Sequence, residues 1–434
     1  MMNYSQTIDY LFTRLPMFSR IGAAAFKKDL INTLALSSFL GNPHTRFKSV
    51  HVGGTNGKGS TSHMIAAIFQ AAGFKTGLYT SPHLKDFRER IRVNGDMVDE
   101  KFVIGFVEKI KPMIEQIEPS FFEITVAMAF EYFAQQQVDI AIIEVGLGGR
   151  LDSTNVIAPE LAVITNISYD HMNMLGDTLD KIAFEKAGII KKNTPVVVGE
   201  YHPETQKVFT EKAAQENADL HFADKKRFVA EWKFQKHELV AEMTSVHDNE
   251  KKYYHLDLTG IYQLKNLVTV IEAIHILQSK GFNISESDIQ KGLRHVKKLT
   301  GLHGRWEIIH ESPKLVLDVG HNEDGIRQIV RQIEITDHEN LHIVLGMVKD
   351  KEAEKILAIL PKHGNYYFTK AQIPRALPED ELAATAKALG LNGAHYPFVK
   401  DALQAALNRA GKKDLLLVCG SVFVVGEVDG IEFI

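Results

Sequence analysis

With 434 residues, 45% of them hydrophobic and 24% charged, the chain is long enough for two packed cores and lacks the composition of a disordered protein. Lysine plus arginine total 50 against 54 acidic residues, a net charge of −4, so no global basic field is present and neither nucleic acid nor membrane is an expected partner. The single cysteine, Cys419, excludes an internal disulfide, no basic-then-apolar signal pattern opens the chain, and the longest apolar stretch, Leu415 to Val425, is too short to span a bilayer, so a cytoplasmic protein is expected.

In chain order, apolar and β-branched runs predict strands at Lys48 to Val52, Lys75 to Tyr79, Val138 to Val145, Leu161 to Thr165 and Pro195 to Gly199, with helical patterns between them. From Lys225 to Leu258 the texture changes to aromatic residues among alternating polar ones, which predicts a small excursion of antiparallel hairpins. An amphipathic helix follows, opening at Gly260 and carrying Leu264, Leu267, Val268, Ile271 and Ile274 at helical spacing. The pattern lapses into a polar, glycine-containing stretch from Val296 to Gly304. A second series then predicts strands at Lys314 to Val319, Leu341 to Leu345, Asn365 to Phe368 and Leu415 to Cys419. The expectation is an α/β protein: residues 1–298 form a domain with a mainly parallel sheet and the β excursion, and residues 299–434 a smaller α/β domain.

In open α/β sheets ligands gather where strands end, and the first strand runs into Gly53-Gly54-Thr55-Asn56-Gly57-Lys58-Gly59-Ser60 before a helix. Strand, glycine-rich turn, lysine, hydroxyl and helix wrap main-chain N–H groups around a triphosphate, with Lys58 on the outer phosphates and the Ser60 hydroxyl on magnesium. Gly59, lying between lysine and serine, departs from the usual phosphate-loop string, and an ordinary glycine-rich turn is the bland alternative.

Glu144 ends the most hydrophobic strand and precedes Gly146 to Asn155, where a buried carboxylate calls for a cation: magnesium, or Arg150 or a lysine. His171, after Asp170 at another strand end, is structural or a ligand; magnesium ordinarily prefers oxygen. Lys186, in an apolar helical context, would contact phosphate or pair with Glu185. Asn266 would cap its helix or read an adenine edge. Arg305, just past the linker, could engage phosphate on domain closure, and Asp318-Val319-Gly320-His321-Asn322 forms a polar cluster that could bind a ribose, orient an arginine or receive an amino acid.

Taken together, Thr55 to Ser60, Thr80-Ser81-Pro82-His83-Leu84, Glu144 to Asn155, Asp170-His171, Glu185 to Ile189, Gly260 to Asn266, Asp318 to Asn322 and Gly420-Ser421 resemble the folylpolyglutamate synthase and dihydrofolate synthase family, relatives of the Mur ligases. That family shows the glycine after the loop lysine. The resemblance implies a Rossmann-like C-terminal domain that serves glutamate ligation. It places ATP on Gly57, Lys58, Gly59 and Ser60, with further nucleotide contacts from Asn266, Arg305 and Asp318. Magnesium, at two sites, would take Ser60, Ser81, Glu144 and His171, and Lys186 would be carbamylated. Lys58, Lys186, Glu144 and His171 would carry the chemistry.

Ser120, Phe121, Phe122 and Glu123, with Leu151, Asp152 and Ser153, resemble pterin-binding stretches, although Phe121 and Phe122 also suit a core; His321 would meet substrate. His303 stands where the family commonly has proline. The implied reaction joins L-glutamate to a pterin acid or folate through an acyl phosphate, in a monomer. The competing readings are a Mur-type ligase acting on a cell-wall nucleotide precursor and a phosphate-loop ATPase switch; no Asn-Lys-x-Asp string supports a guanine-binding switch.

Overall fold

The computed structural model describes residues 2–17, 22, 29–349 and 352–428. The chain divides into two compact units, the first holding most of the chain up to residue 302 and the second residues 258–261 and 303 onward.

In the first unit, eight strands form one sheet: β1 (Lys48–Gly53), β2 (Thr76–Tyr79), β3 (Ile91–Val93), β4 (Asp96–Met97), β5 (Ile140–Glu144), β6 (Leu161–Ile164), β7 (Val196–Val198) and β8 (Leu220–Phe222). Their order is β4-β3-β2-β5-β1-β6-β7-β8, parallel except at β3 and β4. Every residue of β2, β5, β6 and β7 is buried, which is why they read as continuous apolar runs. The central β1 is flanked by β5 and β6, so the chain departs from it to both sides and leaves a switch point at its carboxyl end.

The helix Lys58–Ala71 that follows β1 buries every residue from Ser60 to Phe69, as a helix covered on all sides must. On the other side of the β2–β5 region, Phe121–Gln136 contributes Phe130 and Phe133 to a core shared with Leu11, Leu36 and Ile110. The excursion is a three-stranded antiparallel sheet of β9 (Arg227–Gln235), β10 (Glu238–Ser245) and β11 (Lys251–Leu256), in the order β11-β10-β9.

The second unit holds six strands: β12 (Glu307–Glu311), β13 (Lys314–Leu317), β14 (Leu341–Leu345), β15 (Asn365–Phe368), β16 (Gly393–His395) and β17 (Leu415–Cys419), ordered β12-β13-β17-β14-β15-β16 with only β12 antiparallel.

Two sequence expectations need correction. The helix assigned to Gly260 starts at Gln263, with Tyr262 at its N-cap. The stretch read as irregular contains the helix Val296–Thr300, closed by Gly301 in the left-handed conformation with φ 67°. Strands β3, β4, β8, β12 and β16 escaped the sequence reading. Both residues of β4 and all three of β16 are exposed, so neither carries an apolar run.

Candidate nucleotide and acid-binding site

The phosphate loop is built by β1, the helix Lys58–Ala71 and the carboxyl end of β6. Gly54 (φ 133°) and Gly57 (φ 79°) hold conformations that a side chain would strain, and a Cβ at either would overlap a neighbour, Thr165 Oγ1 at Gly54 and Asn266 Oδ1 at Gly57. The loop is pinned from outside: Thr55 N donates to Asn166 O (2.9 Å), Asn56 N to Asn166 Oδ1 (2.9 Å), and Thr165 Oγ1 to Asn56 O (2.5 Å). Its shape is therefore set by β6 as well as by its own glycines. At the helix N-terminus the first N–H groups have no intrahelical acceptor and face whatever occupies the loop.

Two amines converge on one carbonyl. Lys58 Nζ curls back to Gly54 O (3.1 Å) and Thr55 O (2.9 Å), and Lys186 Nζ reaches the same Gly54 O at 2.8 Å. Burial, then the charge of Lys58, pull the Lys186 pKa down to about 7, against opposing pulls from Asp170 and Asp152. Lys186 does not pair with Glu185, whose carboxylate is taken by Arg150 at 2.8 Å. That pair also removes Arg150 as the partner expected for Glu144.

Glu144 is buried at the end of β5, in register with Val52 of β1, and its Oε2 accepts the Ser81 N–H at 2.9 Å. The fold thus brings Ser81 and Glu144 together. Ser60 is buried and its Oγ accepts from Gln263 Nε2 (3.1 Å), while Gln263 Oε1 accepts from Asn266 Nδ2 (2.8 Å). Asn266 is not a helix cap. It belongs to an amide pair that ties the start of its helix to the phosphate loop. Gln263, Thr165 and Asn166 were missed by sequence reasoning: Gln263 lies inside the string Gly260 to Asn266, but only the fold shows where its side chain goes.

Among the described residues no three of histidine, cysteine, aspartate or glutamate gather as a metal cage, and magnesium characteristically takes one or two carboxylates and completes its shell with water and phosphate. Glu144 supplies one buried carboxylate here, with the Ser81 main chain on it. His171 has φ 50°, its N–H donates to Asp170 Oδ1 (2.8 Å), and its Nε2 lies 3.8 Å from the same carboxylate.

In the stretch likened to a pterin site, Ser120 and Glu123 cap the helix Phe121–Gln136 reciprocally: Ser120 N donates to Glu123 Oε2 (2.6 Å) and Glu123 N to Ser120 Oγ (3.2 Å). Phe121 occupies the core, edge-on to Phe12 and Phe87. Phe122 packs on Gly146 beside the Asp152 carboxylate. Asp152 is buried; it accepts Leu147 N (2.8 Å), Thr154 N (3.0 Å) and Thr154 Oγ1 (2.5 Å), and burial raises its pKa while those bonds oppose the rise. Leu151 is partly exposed and Ser153 is buried in the turn that Asp152 caps.

Within the second unit, Asp318 is buried and accepts Trp306 N and Gly320 N, each at 2.8 Å. Arg305 Nη1 lies 3.2 Å from Gly304 O, His321 Nδ1 lies 3.0 Å from Val319 O, and Asn322 caps the helix Glu323–Glu334. The expected proline's place is filled by His303, which pairs with Glu307 at 2.7 Å.

A parallel sheet with a phosphate loop on its central strand, followed by a separate α/β unit, defines the class. Residues 52–274 match the Mur ligase middle domain and residues 304–422 the Mur ligase glutamate ligase domain. The dihydrofolate synthase/folylpolyglutamate synthase of Bacillus subtilis (strain 168) is 33% identical over 91% of this chain and 92% of its own length. That of Escherichia coli (strain K12) is 33% identical over 87% and 85%. Among solved structures, Mycobacterium tuberculosis folylpolyglutamate synthase complexed with ADP and AMPPCP superposes with a TM-score of 0.86 at 28% identity, covering 98% of both chains. E. coli FolC in complex with DHPP and ADP gives 0.83 at 29% identity, covering 98% of this chain and 97% of that one. The chain belongs to the Mur ligase family, and within it to the dihydrofolate synthase/folylpolyglutamate synthases.

Proposed function

We infer that this chain is an ATP-dependent ligase that adds L-glutamate to pteroate or folate. The observation that carries the reading is the phosphate loop itself, with Lys58 held on the Gly54 and Thr55 carbonyls at a helix N-terminus and the buried Lys186 reaching the same Gly54 carbonyl. A lysine at a helix N-terminus in a glycine-rich turn is a natural seat for an anion. A triphosphate supplies it.

The substrate carboxylate attacks the γ-phosphorus, an acyl phosphate forms and ADP departs. The glutamate amine then attacks the acyl carbon, phosphate leaves and the amine loses its proton. Lys58 offsets charge on the transferring phosphoryl group, which is where phosphoryl transfer gains most of its acceleration. Magnesium, when bound, adds to that electrostatic stabilisation, with Ser60, Ser81 and Glu144 as its holders and His171 as a further one.

Lys186 is the residue to be carbamylated: with its pKa drawn down to about 7, a large fraction of the amine is neutral at physiological pH, and the neutral amine is the form that adds to carbon dioxide. The product is an anion, which Lys58 attracts instead of repelling. Phe122 offers an aromatic face and Asp152 a carboxylate, the pair a flat heterocycle with ring N–H groups requires. Asn266, Arg305 and Asp318 are assigned to the nucleotide and His321 to substrate. No described helix is long and apolar enough to cross a membrane, and we place the enzyme in the cytoplasm.

The test is product analysis with ATP, magnesium and labelled glutamate, offering dihydropteroate, tetrahydrofolate or a muramyl nucleotide precursor. Label in either pterin product supports the assignment. Label only in the cell-wall precursor, or ATP hydrolysis indifferent to acid and amine, overturns it.

A further inference from the structure

One polar side chain interrupts the central strand of the first sheet. His51 stands between Val50 and Val52 on β1, opposite Ile143 of β5 and Ala162 of β6, and is fully buried. A polar ring inside a parallel sheet is unfavourable unless it is hydrogen-bonded, and an apolar residue would suit the core better. Its Nε2 lies 2.8 Å from Thr154 Oγ1, and the same Thr154 Oγ1 lies 2.5 Å from Asp152 Oδ1. Three side chains thus run in series from the centre of the sheet to the carboxylate read as the pterin's acceptor.

Each proton along this series has one place. Main-chain N–H groups can only donate, and Asp152 accepts one from Thr154 on Oδ1 (3.0 Å) and one from Leu147 on Oδ2 (2.8 Å). An O–H···O distance of 2.5 Å is that of a hydroxyl donating to an ionised carboxylate. Thr154 has a single hydroxyl proton, and it goes to Asp152. The proton in the 2.8 Å contact therefore belongs to His51, which donates it from Nε2. The other ring nitrogen agrees: Nδ1 is buried with no hydrogen-bond partner among the described residues, a place for a lone pair rather than an N–H. Burial, then the charge of Lys191, push the imidazole pKa down to about 3, so the ring stays neutral at physiological pH.

The two oxygens of Asp152 then have different duties. Oδ1 is taken by the N–H and the hydroxyl of Thr154, whereas Oδ2 lies beside Gly146, on which Phe122 packs. A Thr154 hydroxyl free to rotate would release Oδ1 and let the carboxylate turn; the His51 N–H removes that freedom. We propose, on the reading of Asp152 as the pterin's acceptor, that His51 is a positioning residue for the acid substrate: its Nε2–H pins the Thr154 hydroxyl, which holds Asp152 with Oδ2 presented to the ring.

Steady-state kinetics of the full chain separates this from a packing role. His51→Leu keeps an occupant in the core but not the donor, and is expected to raise the KM for the pterin acid, dihydropteroate or tetrahydrofolate, roughly tenfold while those for ATP and glutamate stay within about twofold. His51→Gln, whose amide places an N–H where Nε2 stood, is expected to restore the wild-type KM. In a cycle with Thr154→Val, His51→Leu should add nothing further, since the hydroxyl it acts through is gone. An unchanged pterin KM in His51→Leu, equal rises for all substrates, no rescue by glutamine, or effects additive with Thr154→Val would each overturn the proposal. Asp152→Asn, assayed alongside, separates its failure from that of the underlying reading: a selective rise there with none in His51→Leu removes His51 alone, and no selective rise in either removes both. Isotope labelling of the histidine nitrogens, read by NMR, is independent of turnover. The signal lost in His51→Gln is expected to be that of a neutral ring protonated at Nε2, and a ring protonated at Nδ1 overturns the proposal as well.

Discussion

Replacing Lys186 with methionine is expected to make the protein more stable and inactive at once. Lys186 is 4% exposed, and its pKa falls from 10.5 to about 7, first through burial and then through Lys58. At roughly 1.4 kcal/mol per unit, holding this amine inside the fold costs about 4 kcal/mol at pH 7 relative to an uncharged side chain. Against that, the variant loses one hydrogen bond to Gly54 O, about 1 kcal/mol, and Lys58 still serves that carbonyl at 3.1 Å. The net gain for Lys186→Met is about 3 kcal/mol at pH 7.

The sign of the pH dependence follows from the protons. Between pH 7 and 10.5 the unfolded chain keeps a proton on this amine that the folded chain has released, so wild-type stability rises with pH across that window. Below pH 7 the penalty is complete. The gap between variant and wild type therefore narrows from pH 7 upward and closes near pH 10. Urea unfolding at a series of pH values in carbon dioxide-free buffer measures it, and bicarbonate is expected to stabilise the wild type alone. A variant no more stable at pH 7, or a gap constant with pH, would refute the account of Lys186 as a buried, charge-penalised amine.

Lys58→Ala is expected to abolish ligation with the fold intact, since its amine bonds the loop's own carbonyls; wild-type turnover would remove Lys58 from the chemistry. Gly57→Ala puts a methyl group into the Asn266 side chain at φ 79° and should weaken nucleotide binding at least tenfold by calorimetry, with Asn266→Ala in the same chain recovering part of the loss. Asp152→Asn keeps the shape and the acceptor for the Thr154 hydroxyl but turns the other oxygen, which faces Leu147 N, into a donor that ring N–H groups cannot use. We expect it to raise the KM for the pterin acid with little change in that for ATP, and equal effects on both would place Asp152 in a structural role only.

Much of the fold was legible because the buried parallel strands must be apolar. Leu341–Leu345, Asn365–Phe368 and Leu415–Cys419 have the ends read from sequence. The phosphate loop was legible for a similar reason: its glycines and lysine are consecutive, and local conformation demands them. Strands β4 and β16 were not, because exposed edges carry no pattern.

What the sequence by itself determined is the set of local demands: a glycine turn after a buried strand, a carboxylate ending a run of isoleucines, and a lysine in an apolar helix. Tertiary structure alone decided the pairing of those groups across 60 or more residues, with Ser81 on Glu144, Gln263 on Ser60 and Lys186 on the Gly54 carbonyl. It also gave Arg150 to Glu185 and placed Phe121 in the core. The physical reason is that a side chain's partner depends on the order and register in which strands meet, and no window of local sequence carries that information.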